Sequence, residues 1–314
     1  MYHAALLGFS ATVPPGILKK LEQDERIERI EEDYEISVGP VEEFAKPGGG
    51  TPPRTSPQQT PWGVQATGHR DGSGKRAWII DTGIDPNHPD LTVSTELSIN
   101  FVTGGKQSPT TWQDKNGHGT HVAGTIAAKD DGYDVIGVAS GATVVAVRCL
   151  DARGKGRYSW IIAGVDHVAD NGAVGDVCNM SLGGPAYSAL DDAIRSAANE
   201  YGIMFAIAAG NESTDCSVMS PARAGLDQAD IWTVSAHNSQ GVFAYFSNYG
   251  APVDACAPGV YVTSTRLGGG LTTMSGTSMA APHVAGILLV GSVGSAGPVV
   301  GDPDGQTDFK AVLQ

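Results

Sequence analysis

Short apolar runs rich in β-branched residues recur along most of the chain and predict buried strands. The clearest are residues 77–80, 143–147, 176–180, 203–208 and 231–235. Between these runs, apolar positions three or four residues apart predict helices. They are Tyr158, Ile161, Ile162, Val165 and Val168 in one segment, and Leu190, Ile194 and Ala197 in the next. This alternation predicts an α/β fold of three layers, a parallel sheet with helices on both faces.

The first part of the chain has a different pattern. Residues 1–38 mix apolar and acidic stretches, and the prolines at 14 and 15 before Ile17, Leu18 and Leu21 predict a short helix. Residues 39–57 are rich in glycine and proline and have the composition of a linker. We therefore expect one large domain over residues 58–314, preceded by a small N-terminal module.

Composition narrows the class of protein. The chain has 314 residues, 42 glycines and a formal charge of −14, which argues against nucleic acid or an anionic membrane surface as partner. No apolar run approaches the roughly 20 residues of a membrane helix. The first residues lack a basic region followed by a long apolar core, so no signal peptide is visible. Either the protein is not exported, or the given chain starts after the true beginning.

The cysteines do not form a dense disulfide framework. Cys149 and Cys178 lie in apolar runs and are expected to be small buried thiols. Cys216 and Cys256 flank loops, and a disulfide between them is one possibility that the sequence leaves open.

Four segments carry candidate chemistry at the ends of strands or the starts of helices. Asp81 ends an apolar run, His118 opens a helix of small residues, and Ser278 opens an apolar helix. A serine hydroxyl becomes a strong nucleophile when an imidazole takes its proton, and a buried carboxylate holds that imidazole in the required tautomer. A helix N-terminus favours a developing oxyanion. Asn211 follows another strand and offers an amide as oxyanion donor.

Each segment also has a structural interpretation. Asp-Thr-Gly occurs in ordinary turns, a histidine between glycines is more often structural, and a serine at a helix start is usually a cap. An asparagine after a strand is a common turn residue. The conjunction of all four segments, in this chain order, favours catalysis.

The order of Asp81, His118 and Ser278, with their flanking residues, resembles the subtilisin-like serine proteases, in particular the subtilisin and proteinase K branches. The resemblance extends from about Gln58 to about Val290. It implies a serine endopeptidase that works through an acyl-enzyme intermediate, with these three residues as triad and Asn211 as oxyanion donor. It also implies that a polypeptide substrate is held between two segments, and we expect a monomer. The segments are Gly154, Lys155 and Gly156 on one side and Ser181, Leu182, Gly183 and Gly184 on the other.

The resemblance further implies a structural Ca²⁺ ion. In the family such a site uses an N-terminal glutamine, the aspartate of a His-Pro-Asp segment and a loop after the histidine helix. The matching positions here are Gln58, Asp90, Lys129, Asp131, Tyr133 and Val135. Their carboxylate, amide and backbone oxygens suit a hard cation, although a solvated acidic turn is the alternative. His121 and His283 are expected to pack rather than catalyse, and we expect no zinc at His118 and His121.

Residues 1–38 resemble the second half of the inhibitory propeptide of this family, so the fold is expected to include a partial α+β propeptide. In the family this module is an intramolecular chaperone and inhibitor, and its tail occupies the substrate groove. We expect processing within residues 39–57, an N-terminally truncated chain and, from the family, secretion. After the Ser278 helix the chain departs from subtilisins, which continue with a further helix. This end is expected to be short or remodelled.

Two other functional classes compete with this interpretation. A catalytically silent, propeptide-locked protein that binds peptides is one alternative. A serine esterase of the α/β-hydrolase type is disfavoured, because it needs Gly-x-Ser-x-Gly and a later histidine, whereas Met279 and Ala280 follow Ser278 and the only later histidine is His283. Small and glycine-rich pocket segments predict broad cleavage after apolar or aromatic residues. If Glu212, beside Asn211, lies near this pocket, basic substrate residues are also tolerated. The alternative is that Glu212 is a solvated acid of the loop.

Overall fold

A computed structural model describes residues 1–43, 57–103 and 111–314, with only the backbone of residues 42 and 43. The helices are α1 Pro15–Leu21, α2 Trp62–Thr67, α3 His118–Ala127, α4 Tyr158–Asn171, α5 Ser188–Tyr201 and α6 Thr277–Val290. The strands are β1 Glu35–Ser37, β2 Glu42–Glu43, β3 Arg70–Asp71, β4 Arg76–Asp81, β5 Thr92–Val93, β6 Ile99–Asn100, β7 Ala139–Ser140, β8 Thr143–Arg148, β9 Lys155–Arg157, β10 Val177–Met180, β11 Gly184–Pro185, β12 Met204–Ala208, β13 Met219–Ser220, β14 Ile231–His237, β15 Val253–Pro258, β16 Val262–Thr265, β17 Leu271–Ser275, β18 Val293–Pro298 and β19 Phe309–Leu313. All five predicted runs are present as strands, with ends shifted by at most two residues. The predicted helical segments are present in α1, α4 and α5, which extend up to four residues beyond them.

The main sheet has the strand order β18-β19-β15-β14-β12-β10-β4-β8-β5, and β6 also pairs with β8. Pairing from β19 through β8 to β5 is parallel, and among the described strands of this sheet β18 alone pairs antiparallel. The order β12-β10-β4 places β12 and β4 on either side of β10. The carboxyl ends of these strands therefore face one edge of the sheet.

Side chains that alternate along each strand face two separate cores. Ile79 of β4 belongs to the core under α3 and α6, whereas Trp78 and Ile80 belong to the core under α4 and α5. Strands buried on both faces explain why the sequence shows continuous apolar runs instead of alternation. The predicted α/β fold with helices on both faces is confirmed.

The region after α6 differs from the further helix usual in subtilisins. Strands β18 and β19 form an antiparallel pair, and Lys310 of β19 pairs with Cys256 of β15. The chain end therefore extends the main sheet, so this region is remodelled as a sheet extension.

The four cysteines are buried free thiols. Burial raises the pKa of each thiol, that of Cys216 to about 12 and those of the other three further still. The possible Cys216–Cys256 disulfide is not formed in this structure. Among the described residues, no helix is both long and apolar enough to cross a membrane.

Residues 1–43 lie against the α4 and α5 side of the large domain and then enter its cleft. The predicted short helix is α1. The carboxylate of Asp166 in α4 accepts hydrogen bonds from the backbone N–H groups of His3, Ala4 and Ala5 at 2.7–3.2 Å. The first residues of the N-terminal segment are thus anchored to α4.

Candidate active site

Asp81 and His118 form a buried pair at the end of β4 and the start of α3. Nδ1 of His118 lies 2.9 Å from both carboxylate oxygens of Asp81, and the aspartate is completely buried. The backbone N–H of Thr82 donates to the same carboxylate at 2.6 Å. A carboxylate in this position accepts a hydrogen bond from Nδ1–H of the imidazole and so leaves Nε2 unprotonated and able to act as a base.

A close approach of α3 to β4 makes this contact possible. A Cβ atom on Gly119 would lie 2.2 Å from the carbonyl oxygen of Gly83, so only glycine fits there. The same approach brings the start of α3 onto the strand-end aspartate. The glycine after His118 therefore serves the geometry of the pair.

Asp114 fixes the start of α3, and sequence analysis missed it. Its carboxylate accepts hydrogen bonds from the backbone of Asn116, Gly117 and Thr120 and from the hydroxyls of Thr82 and Thr120, at 2.6–3.1 Å. Burial raises the pKa of Asp114, although these hydrogen bonds oppose the shift. An acid just before the predicted helix start was the available signal, because carboxylates satisfy the exposed N–H groups there.

Ser278 is the second residue of α6 and is almost fully buried. Its hydroxyl donates to the carbonyl of Ser181 at 3.4 Å, and the Ser181 hydroxyl donates to the Ser278 carbonyl at 2.9 Å. Nε2 of His118 is buried and has no hydrogen-bond partner among the described residues. In this structure the serine hydroxyl is therefore directed to the substrate-binding segment rather than to the imidazole.

Asn211 presents its amide N–H₂ to the cleft. The backbone N–H and the hydroxyl of Thr277 donate to its Oδ1 at 2.8 and 3.0 Å, which fixes the orientation of the amide group. The Thr277 hydroxyl in turn accepts from the N–H of Gly210 at 3.1 Å. Nδ2 donates to the carbonyl of Pro40 at 3.2 Å, so this amide does bind a peptide carbonyl in the cleft. Thr277 was not singled out from the sequence as a positioning residue.

The two predicted substrate-binding segments enclose an extended piece of the same chain. Strand β1 pairs antiparallel with β9, with Ile36 opposite Gly156 and Ser37 opposite Lys155. On the other side, Ser37 and Gly183 exchange backbone hydrogen bonds of 3.4 and 2.9 Å. The N–H of Val38 donates to the carbonyl of Gly154 at 3.1 Å. This is peptide binding by addition of a strand.

A pocket opens beside Ser278 between residues 182–183, 208–210 and 219–222. Its wall is mostly apolar, from Leu182, Ala208, Ala209, Met219 and Ala222. Glu212 also lines it, but one of its oxygens accepts from the backbone N–H of Asn211 at 2.9 Å and from the amide of Asn248 at 2.8 Å. The carboxylate is therefore partly engaged in holding the loop that carries Asn211.

His121 and His283 lie inside the domain and keep the packing positions expected of them. Nε2 of His121 contacts the carbonyl of Val262 at 3.1 Å, and Nδ1 of His283 contacts that of Met279 at 2.8 Å. Burial lowers the pKa of His121 to about 3 and of His283 to about 4. Both imidazoles are therefore neutral near pH 7.

Comparison with known families agrees with this geometry. The sequence model of the subtilase family matches residues 76–291, which span the elements that carry Asp81, His118, Asn211 and Ser278. The chain belongs to the subtilase family. The crystal structure of a cold adapted subtilisin-like serine proteinase superposes with a TM-score of 0.68 at 34% identity, covering 80% of this chain and 97% of that one.

Curated relatives include an alkaline serine exoprotease A from Vibrio alginolyticus, 38% identical over 92% of this chain. An extracellular serine proteinase from Thermus sp. (strain Rt41A) is 42% identical over 91% of it, and subtilisin E from Bacillus subtilis (strain 168) is 39% identical over 88%. This subtilase spans 52% of the length of the Vibrio protein and 66% of the Thermus protein.

The segments expected to bind calcium contact one another around the 129–135 loop. The carboxylate of Asp90 is completely buried and accepts from the N–H of Val135 at 3.4 Å. Oε1 of Gln58 accepts from the N–H groups of Asp131 and Gly132 at 3.0 and 2.6 Å. Lys129 directs its ammonium group to the carbonyl of Pro89 at 2.8 Å, and Tyr133 pairs with Pro57. In the described part of the chain, no group of three or more His, Cys, Asp and Glu residues could hold a metal.

Proposed function

We propose that this chain is a serine endopeptidase that hydrolyses peptide bonds with Asp81, His118 and Ser278 as its triad. The observation that supports this most directly is the buried Asp81–His118 contact of 2.9 Å, with Ser278 and the amide of Asn211 at the same edge of the sheet. A structural role alone would not need a buried carboxylate, an imidazole with a free Nε2 and a helix-start serine in one cleft.

The mechanism follows from these positions. The Ser278 hydroxyl rotates from Ser181 toward Nε2 of His118, loses its proton to that nitrogen and attacks the carbonyl carbon of the substrate. Asp81 accepts the Nδ1–H bond and stabilises the imidazolium that forms. The oxyanion forms near the N-terminus of α6 and accepts a hydrogen bond from Nδ2 of Asn211. The imidazolium then protonates the leaving amine. In the second half of the reaction, His118 takes a proton from a water molecule that attacks the acyl carbon, and it returns a proton to the Ser278 oxygen as the acid product leaves.

Substrate choice follows from the pocket beside Ser278. Its apolar wall favours broad cleavage after apolar or aromatic residues, because burial of such a side chain removes apolar area from water. The Glu212 carboxylate at its mouth is held by Asn211 and Asn248 and adds tolerance for a basic residue. Equal hydrolysis of peptides with an acidic residue at this position would contradict the assignment.

Residues 1–38 act as a partial inhibitory propeptide in this proposal. Two of their carboxylates cap helices of the large domain. Asp33 accepts from the backbone N–H and hydroxyl of Ser159 near the start of α4, and Glu31 accepts from the N–H groups of Ser188 and Ala189 at the start of α5. Carboxylates at helix N-termini are favourable contacts. Residues 39–57 form the linker and processing region, residues 58–314 the catalytic domain, and residues 44–56 lie outside the described residues.

The same proposal includes the setting in which the enzyme works. Its partners are polypeptide substrates and its own propeptide, and it acts as a monomer. One relative is named an extracellular proteinase, which supports secretion. Neither nucleic acid nor a membrane is a partner, in keeping with the charge of −14.

Calcium is the proposed structural ion. The buried Asp90 carboxylate and the backbone of the 129–135 loop supply oxygens that suit it. Oε1 of Gln58 would join them only by giving up its bonds to the two loop N–H groups. Added CaCl₂ should raise the thermal unfolding midpoint of the Ser278→Ala protein, and Asp90→Asn should abolish that rise. Asp170→Asn, an exposed acid on α4, is the matched control. An unchanged midpoint in the parent protein would reject the site.

The catalytic proposal is tested with a fluorophosphonate that labels activated serines. We expect one adduct by intact mass, mapped to Ser278, and no adduct in His118→Ala or Ser278→Ala. Peptide hydrolysis should be lost in the same variants. Folded protein that neither labels nor hydrolyses peptides after cleavage of its linker would instead establish a silent peptide-binding protein.

A further inference from the structure

The N-terminal segment crosses the whole cleft. Before Ser278, β1 pairs with β9; beyond it, β2 pairs antiparallel with β17, with Glu42 opposite Ser275. Between the two strands, the carbonyl of Pro40 accepts the hydrogen bond from Nδ2 of Asn211 at 3.2 Å. The next residue is Val41, whose side chain lies beside Gly276. The peptide bond seated at the candidate nucleophile is therefore Pro40–Val41.

We propose that Gly39 and Pro40 protect this bond, so that residues 35–43 are a built-in inhibitor that the enzyme holds but does not cut. Processing of the chain then takes place at another bond. This inference rests on the proposed function, since it presupposes an active serine. The inference is nevertheless distinct from the proposed function, because an active enzyme could equally well cut the segment at Pro40–Val41.

The strand register shows the first departure from a productive substrate. Ser37 lies opposite Gly183, so a regular antiparallel strand would bring residue 39 opposite Ser181, two residues further on each strand. Gly39 instead has φ +71°, in the left-handed region, and the regular pairing ends at Val38. The turn at Gly39 advances the chain, and the carbonyl that reaches Asn211 is that of the following residue. A side chain at position 39 would be strained in this conformation.

Proline at position 40 is the second departure. The residue before a cleaved bond normally pairs with the enzyme through its N–H group, and in a regular strand the residue at this place lies opposite Ser181. Proline has no N–H and cannot make this bond. The Ser181 carbonyl accepts the Ser278 hydroxyl at 3.4 Å instead. The bound segment thus leaves the nucleophile directed away from His118.

The pocket beside Ser278 gives the third departure. Gly39 lies at its mouth and contributes no side chain, and a Cβ there would be 3.7 Å from both Nδ2 of Asn211 and Oε1 of Glu212. The segment is held mainly by contacts remote from the bond, at Asp33, Glu31 and β1. Such binding stabilises the ground state without aligning the reacting atoms, which is the property of an inhibitor.

The test follows cutting of the full chain by intact mass and peptide mapping. In the wild type, we expect no cut between residues 40 and 41 while the chain still labels, however slowly, with a fluorophosphonate at Ser278. In Pro40→Ala, one water should be added across the bond between positions 40 and 41, roughly 10²-fold faster than in the wild type, because residue 40 regains the N–H group that aligns the bond through the Ser181 carbonyl. Pro47→Ala, in the same linker, is the matched control and should behave as the wild type.

The outcomes separate the two proposals. Cutting between residues 40 and 41 at equal rates in wild type and Pro40→Ala, or labelling of Pro40→Ala at Ser278 without such a cut, would overturn the protected bond while leaving the protease intact. Absence of labelling in every variant would overturn the proposed function itself. A circular dichroism melting curve establishes that Pro40→Ala is folded.

A peptide measurement removes the dependence on folding of the variant. Synthetic peptides of residues 31–43, with proline or alanine at position 40, are added to enzyme whose linker has been cut in trans. The proline peptide should inhibit and survive, and the alanine peptide should inhibit only until it is cut after position 40. Equal survival of both peptides on active enzyme would also contradict the proposal.

Discussion

At the residue scale, the orientation of one amide group depends on a threonine. Thr277 holds Oδ1 of Asn211 with its N–H and hydroxyl, and it accepts from Gly210. Thr277→Val should therefore lower kcat by about 10-fold with little change in KM, less than the 10²–10³-fold known for loss of the oxyanion amide in subtilisin. Steady-state kinetics on processed enzyme measure this. Thr277→Ser keeps the hydroxyl and should retain most of the rate; an equal loss in both variants would indicate general disruption.

Also at this scale, Asp114 joins the start of α3 to Thr82, the neighbour of Asp81. Asp114→Asn keeps the size but replaces an acceptor oxygen with a donor group, so several hydrogen bonds to a buried carboxylate are lost. We expect the free energy of unfolding to fall by roughly 2–3 kcal/mol, the scale of one such charged hydrogen bond and an unsatisfied donor. Urea unfolding in a Ser278→Ala background checks this, with exposed Asp170→Asn as control. An unchanged unfolding midpoint would contradict the structural role.

At the scale of elements, two helices of the large domain begin on carboxylates of the N-terminal segment. Loss of a helix cap typically costs about 1 kcal/mol, or roughly a factor of five in an equilibrium constant. The double change Glu31→Gln and Asp33→Asn removes two such caps, so it should weaken the hold of the segment and speed fluorophosphonate labelling of the full chain at Ser278 by roughly 25-fold. Glu28→Gln, in an exposed acid of the same segment, should leave the labelling rate unchanged. If the double variant labels at the wild-type rate, these caps do not hold the inhibitor.

The parts of the site that could be predicted from the sequence are those whose signal is local. Asp81 ends an apolar strand, and His118 and Ser278 open helices, so the apolar pattern and the chain order are enough to identify them. Thr277 acts through contacts with Gly210 and Asn211, which are distant in sequence, and nothing local marks those contacts. Asp114 did carry a local signal, its place just before the start of α3, but its contact with Thr82 is distant in sequence. The position of Pro40 beside the nucleophile depends on the strand register, and the turn at Gly39 shifts that register by one residue. The glycine and proline content of the linker gives no information about this shift.

The end of the chain shows the same limit at the level of elements. The departure after α6 was visible as a change of pattern, with glycines and prolines where a helix was usual. That β18 and β19 extend the main sheet beside β15 depends on a long-range pairing, and local propensity does not specify such a partner.

At the scale of the whole molecule, the pH dependence of stability comes from titratable groups that burial holds in their neutral forms. The imidazoles of His121 and His283 have pKa values of about 3 and about 4 in the fold. Their contribution to stability is present above pH 6.5, the ordinary value, and is lost as the pH falls toward those values, because the unfolded chain binds the protons more readily.

Asp308 has the opposite pH dependence. Burial, with repulsion from Asp302 and other acids, raises its pKa from 3.8 to about 7, although the hydroxyl of Ser235 donates to it at 2.6 Å. Because the folded state retains the proton, this contribution is present below pH 3.8 and is lost as the pH rises to about 7. The hydrogen bond between Asp308 and Ser235 joins the residue before β19 to β14. The chain end should therefore become less stable toward neutral pH.

Asp308→Asn removes this titration and keeps an oxygen that accepts from Ser235. In a Ser278→Ala background, the variant should gain stability relative to the parent between pH 4.5 and 7, on the order of 1 kcal/mol per pH unit, with no further gain above pH 8. Urea unfolding at fixed pH values measures the difference. Asp170→Asn, an exposed acid on α4 that is not among the acids acting on Asp308, is the control. A flat difference for Asp308→Asn would show that this carboxyl is ionised in the fold at the lowest pH, and that the C-terminal hairpin carries no penalty for it.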